Sequence, residues 1–393
     1  MILGKKFTLV LAIMCAHTVT CLEARPLNIL FVVAYFPAAS QTYILNMMTR
    51  LIDKGHNVSI FAFRNKEYDK NIPEHPDIAK YSLNNSVIYE EFPEELPDCD
   101  IVFCQSGTLG RQIVSMERLH NWLKKRKLVV CLRGGDTTSN YVRENPDIYE
   151  KLFKEAHLFL PVCEYFKKLI VQYGCDADKV TVHHSTINCS QFYFKERKNK
   201  HKKRKTIRFV SVSRLVEKKG LNFALEAIAE VAKKYKNIHF TIVGNGHWQR
   251  RLEKMAKELG IASKVTFFGW ATQDQVAHIL NKSHIFLSPS VQSARGEEEG
   301  IANSLKEAMA TGLISIGTFH AGTPELIEDG ISGFLVHERN SKELAQKIKY
   351  IIEHPEIWRS VGLAARKKVE AEFEIKKSVE RLEKIFYQLV TSK

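Results

Sequence analysis

The chain has 393 residues, 45% of them hydrophobic and 26% charged, which suits two domains of about 150–200 residues and a globular protein. Its formal charge of +14 resembles a nucleic-acid signature, yet nine Lys or Arg against one acid (Glu196) lie between Lys195 and Arg208. More than half of the excess is therefore one local run. Nucleic acid is weighed down as a partner, and peripheral contact with anionic lipid headgroups remains as another use of the run.

At the N-terminus, Lys5-Lys6 precede an apolar stretch from Phe7 to Ala16, the layout of a signal-like or anchoring segment over residues 1–26. The stretch is shorter than the ~20 apolar residues a membrane-spanning helix needs. From Leu27 to Val33 the near-continuous apolar run predicts a parallel strand covered on both faces. A helix is expected over 40–54, stopped at Gly55, and a second strand over 58–62, which completes a βαβ unit. Further strands are expected at 101–103, 128–131 and 158–161, with helical stretches near 111–125 and 164–173. The basic run then reads as the joint between domains. Beyond it, strands are expected at 207–213, 238–243, 265–268, 285–288 and 313–317. Helices are expected at 220–235, 248–259, 273–281, 303–311 and 340–353, with a long amphipathic one at 375–391. The fold class is thus α/β, with Rossmann-like doubly wound domains over 27–195 and 207–375, a linker over 196–206 and a last helix, 376–393, returning to the first domain.

The eight cysteines are scattered, with no CxxC pair, and several sit in apolar runs such as Val102-Phe103-Cys104. They read as small hydrophobes in a reducing, cytoplasmic compartment, peripheral at an inner membrane if the basic run is used there. The signal-like start stands against that placement. No metal-ligand spacing is present, and His183 and His184 read as structural.

The most informative segment is Glu299-Gly300-Ile301-Ala302-Asn303 running on to Glu307 and Gly312. Two carboxylates eight positions apart bracket a turn and the start of a short helix. Asn303 or Ser304 is expected to cap it, and Gly312 to stop it. A helix N-terminus with outward N–H groups suits a phosphate, and acids on either side can reach the hydroxyl-bearing parts of a phosphorylated ligand. Directly after the first strand of the second half, Arg214 and Lys219 stand at the mouth of a cleft, where two fixed cations can neutralise a diphosphate. The turn Val243-Gly244-Asn245-Gly246 begins like a dinucleotide fingerprint, but Gln249 breaks it. It reads instead as a tight turn passing close to a nucleotide, with Trp270 either stacking on the base or simply packing.

These pieces resemble the family 4 branch of the retaining GT-B glycosyltransferases, in its exopolysaccharide and colanic-acid type. The resemblance is specific through Ser213–Gly220, Val243–Gly246, Glu299–Gly312, Gly322–Ile327 and Gly330–Val336. It implies a nucleoside-diphosphate sugar as donor and no cofactor or metal. Arg214 and Lys219 would hold the diphosphate, Glu299 the donor sugar and Glu307 the ribose. Backbone N–H groups of Gly300, Ile301 and Ala302, with the helix start at Asn303, would lie near the phosphates. In the first half the match is looser. Ser40 and Thr42 fall in a loop on the phosphate and acceptor side. Arg133 stands where relatives often carry a His close to the donor sugar, Gln105 likewise replaces a His, and with Asp136 these are the acceptor-side or sugar-side candidates. Thr186 and Asn188 replace a Gly and an Asp. The implied partner is a glycan or lipid-linked acceptor. An inactive GT-B homologue serving as a sugar-binding or scaffold subunit is the alternative, suggested by the missing His and the signal-like start.

Overall fold

In a computed structural model, the described residues are 25–37, 42–65, 75–89, 96–197 and 206–392. Most of the signal-like segment, Ser40 and the centre of the basic run (198–205) lie outside them.

Two six-stranded, all-parallel sheets organise the chain. The first holds β1 (Asn28–Phe36), β2 (Asn57–Asn65), β3 (Val87–Tyr89), β4 (Ile101–Cys104), β5 (Lys127–Leu132) and β6 (Leu158–Pro161) in the order β3-β2-β1-β4-β5-β6. The second holds β7 (Ile207–Val212), β8 (Ile238–Val243), β9 (Val265–Gly269), β10 (Ile285–Ser288), β11 (Ile314–Thr318) and β12 (Phe334–Val336) in the order β9-β8-β7-β10-β11-β12. Both orders are the same doubly wound pattern, and each reverses direction beside its first strand. Such a reversal opens a crevice at the carboxyl ends of the strands, where ligands bind. The central strands are buried on both faces, as their apolar runs require: Leu30, Phe31 and Val32 of β1 are all fully covered.

Strands β6, β8 and β10 fall where the sequence put them. Two three-residue strands, β3 and β12, and the helix Trp358–Glu372 went unforeseen, because runs that short have no readable period and Gly362 interrupts the helix pattern. The helix expected over 111–125 is instead Gly107–Ser115 followed by short turns. Ser106 accepts from the Leu109 N–H and starts it early. His183 and His184 lie on extended backbone outside the strands.

The chain crosses between domains twice, and the crossings pair with each other. Ile187 donates its N–H to the Phe373 carbonyl at 3.0 Å and accepts from the Ile375 N–H at 3.0 Å. The last helix, Ile375–Thr391, lies against the first domain, with Ile375, Val379, Leu382 and Phe386 buried in the core that contains β1. Glu383 binds Lys54 at 2.7 Å and His56 at 3.0 Å across the same contact. At the other crossing Lys195 and Arg197, expected in an exposed linker, turn inward. The Lys195 ammonium and the Arg197 guanidinium donate to the carbonyls of Asn281 and Leu280, closing the end of the Gln273–Lys282 helix. The six described cysteines are buried and free. Among the described residues no helix is long and apolar enough to cross a membrane.

Candidate functional site

Between the two sheets, at their reversal points, lies a cleft of about 670 Å³. Its second-domain wall is built from the loops that leave β7 and β10. After β7 the chain presents Arg214, Lys218 and Lys219. After β10 it presents Glu299, whose carboxylate forms an ion pair with Lys219 and accepts from the Ser290 hydroxyl at 3.1 Å. Ser290 in turn is fixed by Thr318, whose hydroxyl donates to the Ser290 carbonyl at 2.6 Å. Burial works against charge on Glu299, but the Lys219 ammonium beside it prevails and keeps the carboxyl well below its usual range. Lys218 lies 3.4 Å from Glu297. Arg214 is exposed and has no carboxylate partner among the described residues.

The glycine turn after β8 supports this wall from behind. Gly244 has φ +123°, and a Cβ there would sit 2.0 Å from the Ser213 carbonyl oxygen. That close approach is to the Arg214 loop. Gly244 lines the cleft; Gly246 does not, because it lies over Leu215, where a Cβ would come within 2.2 Å of the carbonyl oxygen. Trp270 is half-buried and lines the cleft beside Gly244.

The helix Asn303–Ala310 begins at the cleft floor, but not with the cap expected. Ala302 is its N-cap, and no side chain accepts from its first N–H groups. Asn303 sits one residue too far in to cap, and its side-chain oxygen accepts from Lys306 Nζ at 2.9 Å and from the Ser185 hydroxyl at 3.0 Å. The uncapped N–H groups of a helix start are an anion site. Gly300 and Ile301 line the cleft, whereas Ala302 is buried beneath it. Gly300 is needed because the turn packs on the first domain, where a Cβ would come within 2.7 Å of Val162 Cγ2. Gly312 ends the helix as expected, donating its N–H to Met309.

Glu307 lines the cleft; its carbonyl accepts from the Thr311 N–H at 3.1 Å, and its carboxylate makes no hydrogen bond among the described residues. Burial raises its carboxyl to about 7, against the opposing pull of Lys306. Lys306 is fully buried and its ammonium is lowered to about 7 by burial, with Glu307 opposing. It donates to the Ser185 carbonyl at 2.6 Å and hydroxyl at 2.7 Å, which ties the interdomain crossing to the helix.

Sequence reasoning missed Lys306 and Ser185, and also His320 and Glu338. The His320 ring is buried, its Nε2 accepts from the Glu299 N–H at 3.0 Å, and so its Nδ1–H is the donor to Glu338 at 2.5 Å. This pair sets the backbone of the Glu299–Gly300 turn. A histidine just past β11, the strand beside β10, was the available signal.

The first-domain wall is sparser. Thr42 and Tyr43 open the Thr42–Asp53 helix, and Arg133 follows β5. Ser40 lies outside the described residues. Gln105 and Asp136 do not reach the cleft. Gln105 is buried and accepts from Arg133 through its side chain at 2.8 Å and its carbonyl at 3.2 Å. The Asp136 carboxylate accepts the backbone N–H groups of Arg133, Gly134 and Gly107 at 3.1, 2.8 and 2.9 Å, so it holds the loop rather than a ligand. The histidines are structural: His183 bonds Ser378 and His184 bonds the Val162 carbonyl at 3.0 Å. Direct bonds join the walls, including Arg143 to Glu298 at 2.7 Å and the Glu298 N–H to the Thr138 hydroxyl at 2.9 Å. Glu325 of the second domain caps the first-domain helix at Glu164 at 3.0 Å. No group of three or more candidate metal ligands occurs among the described residues.

Two doubly wound domains of one strand order, facing each other across a cation-rich cleft, have the GT-B architecture, and the protein is a glycosyltransferase. Residues 193–368 match the model of the family described as Glycosyl transferases group 1. It is 29% identical to the amylovoran biosynthesis glycosyltransferase AmsK of Erwinia amylovora, across 88% of this chain and 96% of that protein. It is 26% identical to a putative colanic acid biosynthesis glycosyltransferase, WcaL, of Escherichia coli strain K12, across 87% and 95%. Among solved structures, Anabaena Alr3699/HepE in complex with UDP superposes with a TM-score of 0.74 at 15% identity, covering 92% of this chain and all of that one. Sucrose-phosphate synthase from Thermosynechococcus elongatus does so at 0.74 and 16%, covering 94% and 100%. At those identities the likeness is one of fold.

Proposed function

We propose that this glycosyltransferase is a retaining, metal-independent enzyme moving a hexose from a nucleoside-diphosphate sugar to a glycan or lipid-linked acceptor in surface polysaccharide assembly. The observation that carries the proposal is the convergence of Arg214, Lys219 and an uncapped helix start on one cleft at the strand-order reversal. The names of the relatives, and the UDP bound by Alr3699/HepE, support the choice of donor and product class.

In this reading the departing diphosphate gains negative charge as the glycosidic bond breaks. Arg214, Lys219 and the N–H groups near Asn303 stabilise that charge from fixed positions, so little reorganisation is needed. Lys219 is paired with Glu299 beforehand. A diphosphate competing for the ammonium loosens Glu299, which then accepts from sugar hydroxyls. Glu307 accepts from the ribose hydroxyls, and Gly300 and Ile301 turn their N–H groups to the phosphates. Thr42 and Arg133 face the acceptor. The acceptor hydroxyl loses its proton to the leaving phosphate on the same face, so neither glutamate serves as base.

The test is incubation of purified protein with UDP- and GDP-hexoses, with and without a chelator, and assignment of the product anomer by proton NMR. Nucleoside diphosphate release that survives chelation, with donor configuration kept in the product, is expected. An inverted product, or turnover abolished by the chelator, overturns the mechanism.

A further inference from the structure

Four cations line the cleft, and three belong to the second domain. Lys219 is paired with Glu299 and Lys218 lies beside Glu297. Arg214 stands next to Lys219, where a diphosphate is assigned. Arg133 is the fourth, alone on the opposite wall.

Its guanidinium is held on two sides. Nε and Nη2 donate to the carbonyl and side-chain oxygens of Gln105 at 3.2 and 2.8 Å, and the group lies over the Tyr43 ring, 4.5 Å from its centroid. Nη2 also touches Cys131 Sγ at 3.4 Å. The remaining nitrogen, Nη1, makes no hydrogen bond among the described residues. No carboxylate pairs with the guanidinium: the nearby Asp136 oxygens are taken by the backbone N–H groups of Arg133, Gly134 and Gly107. A largely buried guanidinium with no counter-charge is costly, and neutral hydroxyls could be recognised by an amide or another hydroxyl without that cost. Its orientation is already fixed, so little entropy is lost when an anion binds.

We infer that Arg133 selects an acceptor carrying an anionic group, a carboxylate or a phosphate, beside the sugar that receives the transferred residue. This rests on the assignment of the first-domain wall to the acceptor. The shared chemistry is an oxyanion able to take the free guanidinium edge. A hexuronic acid and a phosphate-bearing sugar are its two sources.

Ligand-observed NMR titration of the full chain, held at saturating UDP or GDP so that the diphosphate site is filled, tests the inference with three probes. These are methyl glucuronide, methyl glucoside and glucose 1-phosphate. At least one anionic probe should bind about tenfold more tightly than the neutral glucoside, the scale of one charge-assisted contact. Which of the two anions wins identifies the source. In Arg133→Gln the preference should shrink to within about twofold, and Arg133→Lys should keep part of it. Equal binding of all three probes by the wild-type protein overturns the inference, as does a preference that survives Arg133→Gln. The wild-type ranking decides by itself if the glutamine variant does not fold. A protein that binds neither UDP nor GDP sinks the donor reading, whereas one that binds them and ignores probe charge sinks only this inference.

Discussion

The two domains share a strand order but furnish their carboxyl ends differently. On the second-domain wall most charged groups are answered and braced: Lys219 by Glu299, Glu299 by Ser290, Ser290 by Thr318, and the Glu299 backbone by His320 and Glu338. On the first-domain wall one guanidinium leans on Gln105 and Tyr43. The contrast follows the physics of the two tasks. Stabilising charge that appears during a reaction demands donors already in place, and hence a rigid network. Recognising an acceptor demands shape and a few polar groups, which loops supply.

The largest effects should therefore fall on the second wall. Lys219→Ala and Glu307→Ala should each lower turnover at least about 10²-fold, against a few-fold for Thr42→Val, measured by nucleoside diphosphate release. Equal losses on both walls would break the comparison. Gly244→Ala sharpens it without touching a charge. The added methyl meets the Ser213 carbonyl oxygen and must displace the Arg214 loop, so a loss of about tenfold in kcat/KM and a lowered melting temperature are expected.

The buried pair at the cleft floor predicts an unusual pH profile. Glu307 is raised from 4.5 to about 7, so the folded protein keeps a proton that the unfolded chain has lost, and stability falls as pH rises through that window. Lys306 is lowered from 10.5 to about 7, so the folded protein has lost a proton that the unfolded chain keeps, and stability rises again above 7. Denaturant unfolding across pH should show a minimum near neutrality, with arms on the order of a few kcal/mol. Glu307→Gln should delete the falling arm and leave the rising one. A flat profile in the wild-type protein counts against both shifts. The smallest effect is at the seam between the walls: a double-mutant cycle on Arg143 and Glu298 should give a coupling below about 1 kcal/mol, since the arginine is partly solvated.

Much of this architecture was legible in the residues. Apolar runs such as Ile285–Ser288 mark doubly covered strands, and charges placed directly after a strand, as at Arg214 and Lys219, mark a cleft mouth. Side-chain direction was not legible. Asp136 looked available because nothing local shows that three backbone N–H groups, one of them 29 residues away at Gly107, would claim it. Asn303 looked like a cap until its oxygen met Lys306 and a serine 118 positions upstream. Lys306 itself, one polar residue among Leu305, Ala308 and Met309, would ordinarily read as the solvent side of a helix. Both crossings meet it, the outgoing one through Ser185 and the returning one through the Phe373 ring.

The position of the Ile375–Thr391 helix governs the order in which the protein can be made. The second sheet is continuous in sequence and has all its strands once Val336 has emerged during synthesis. The first sheet, translated earlier, waits for the final helix to cover the apolar face around β1. The half of the molecule born first is thus finished last, and a fragment ending near residue 197 leaves the ribosome with that face covered only in part, by the Thr42–Asp53 helix.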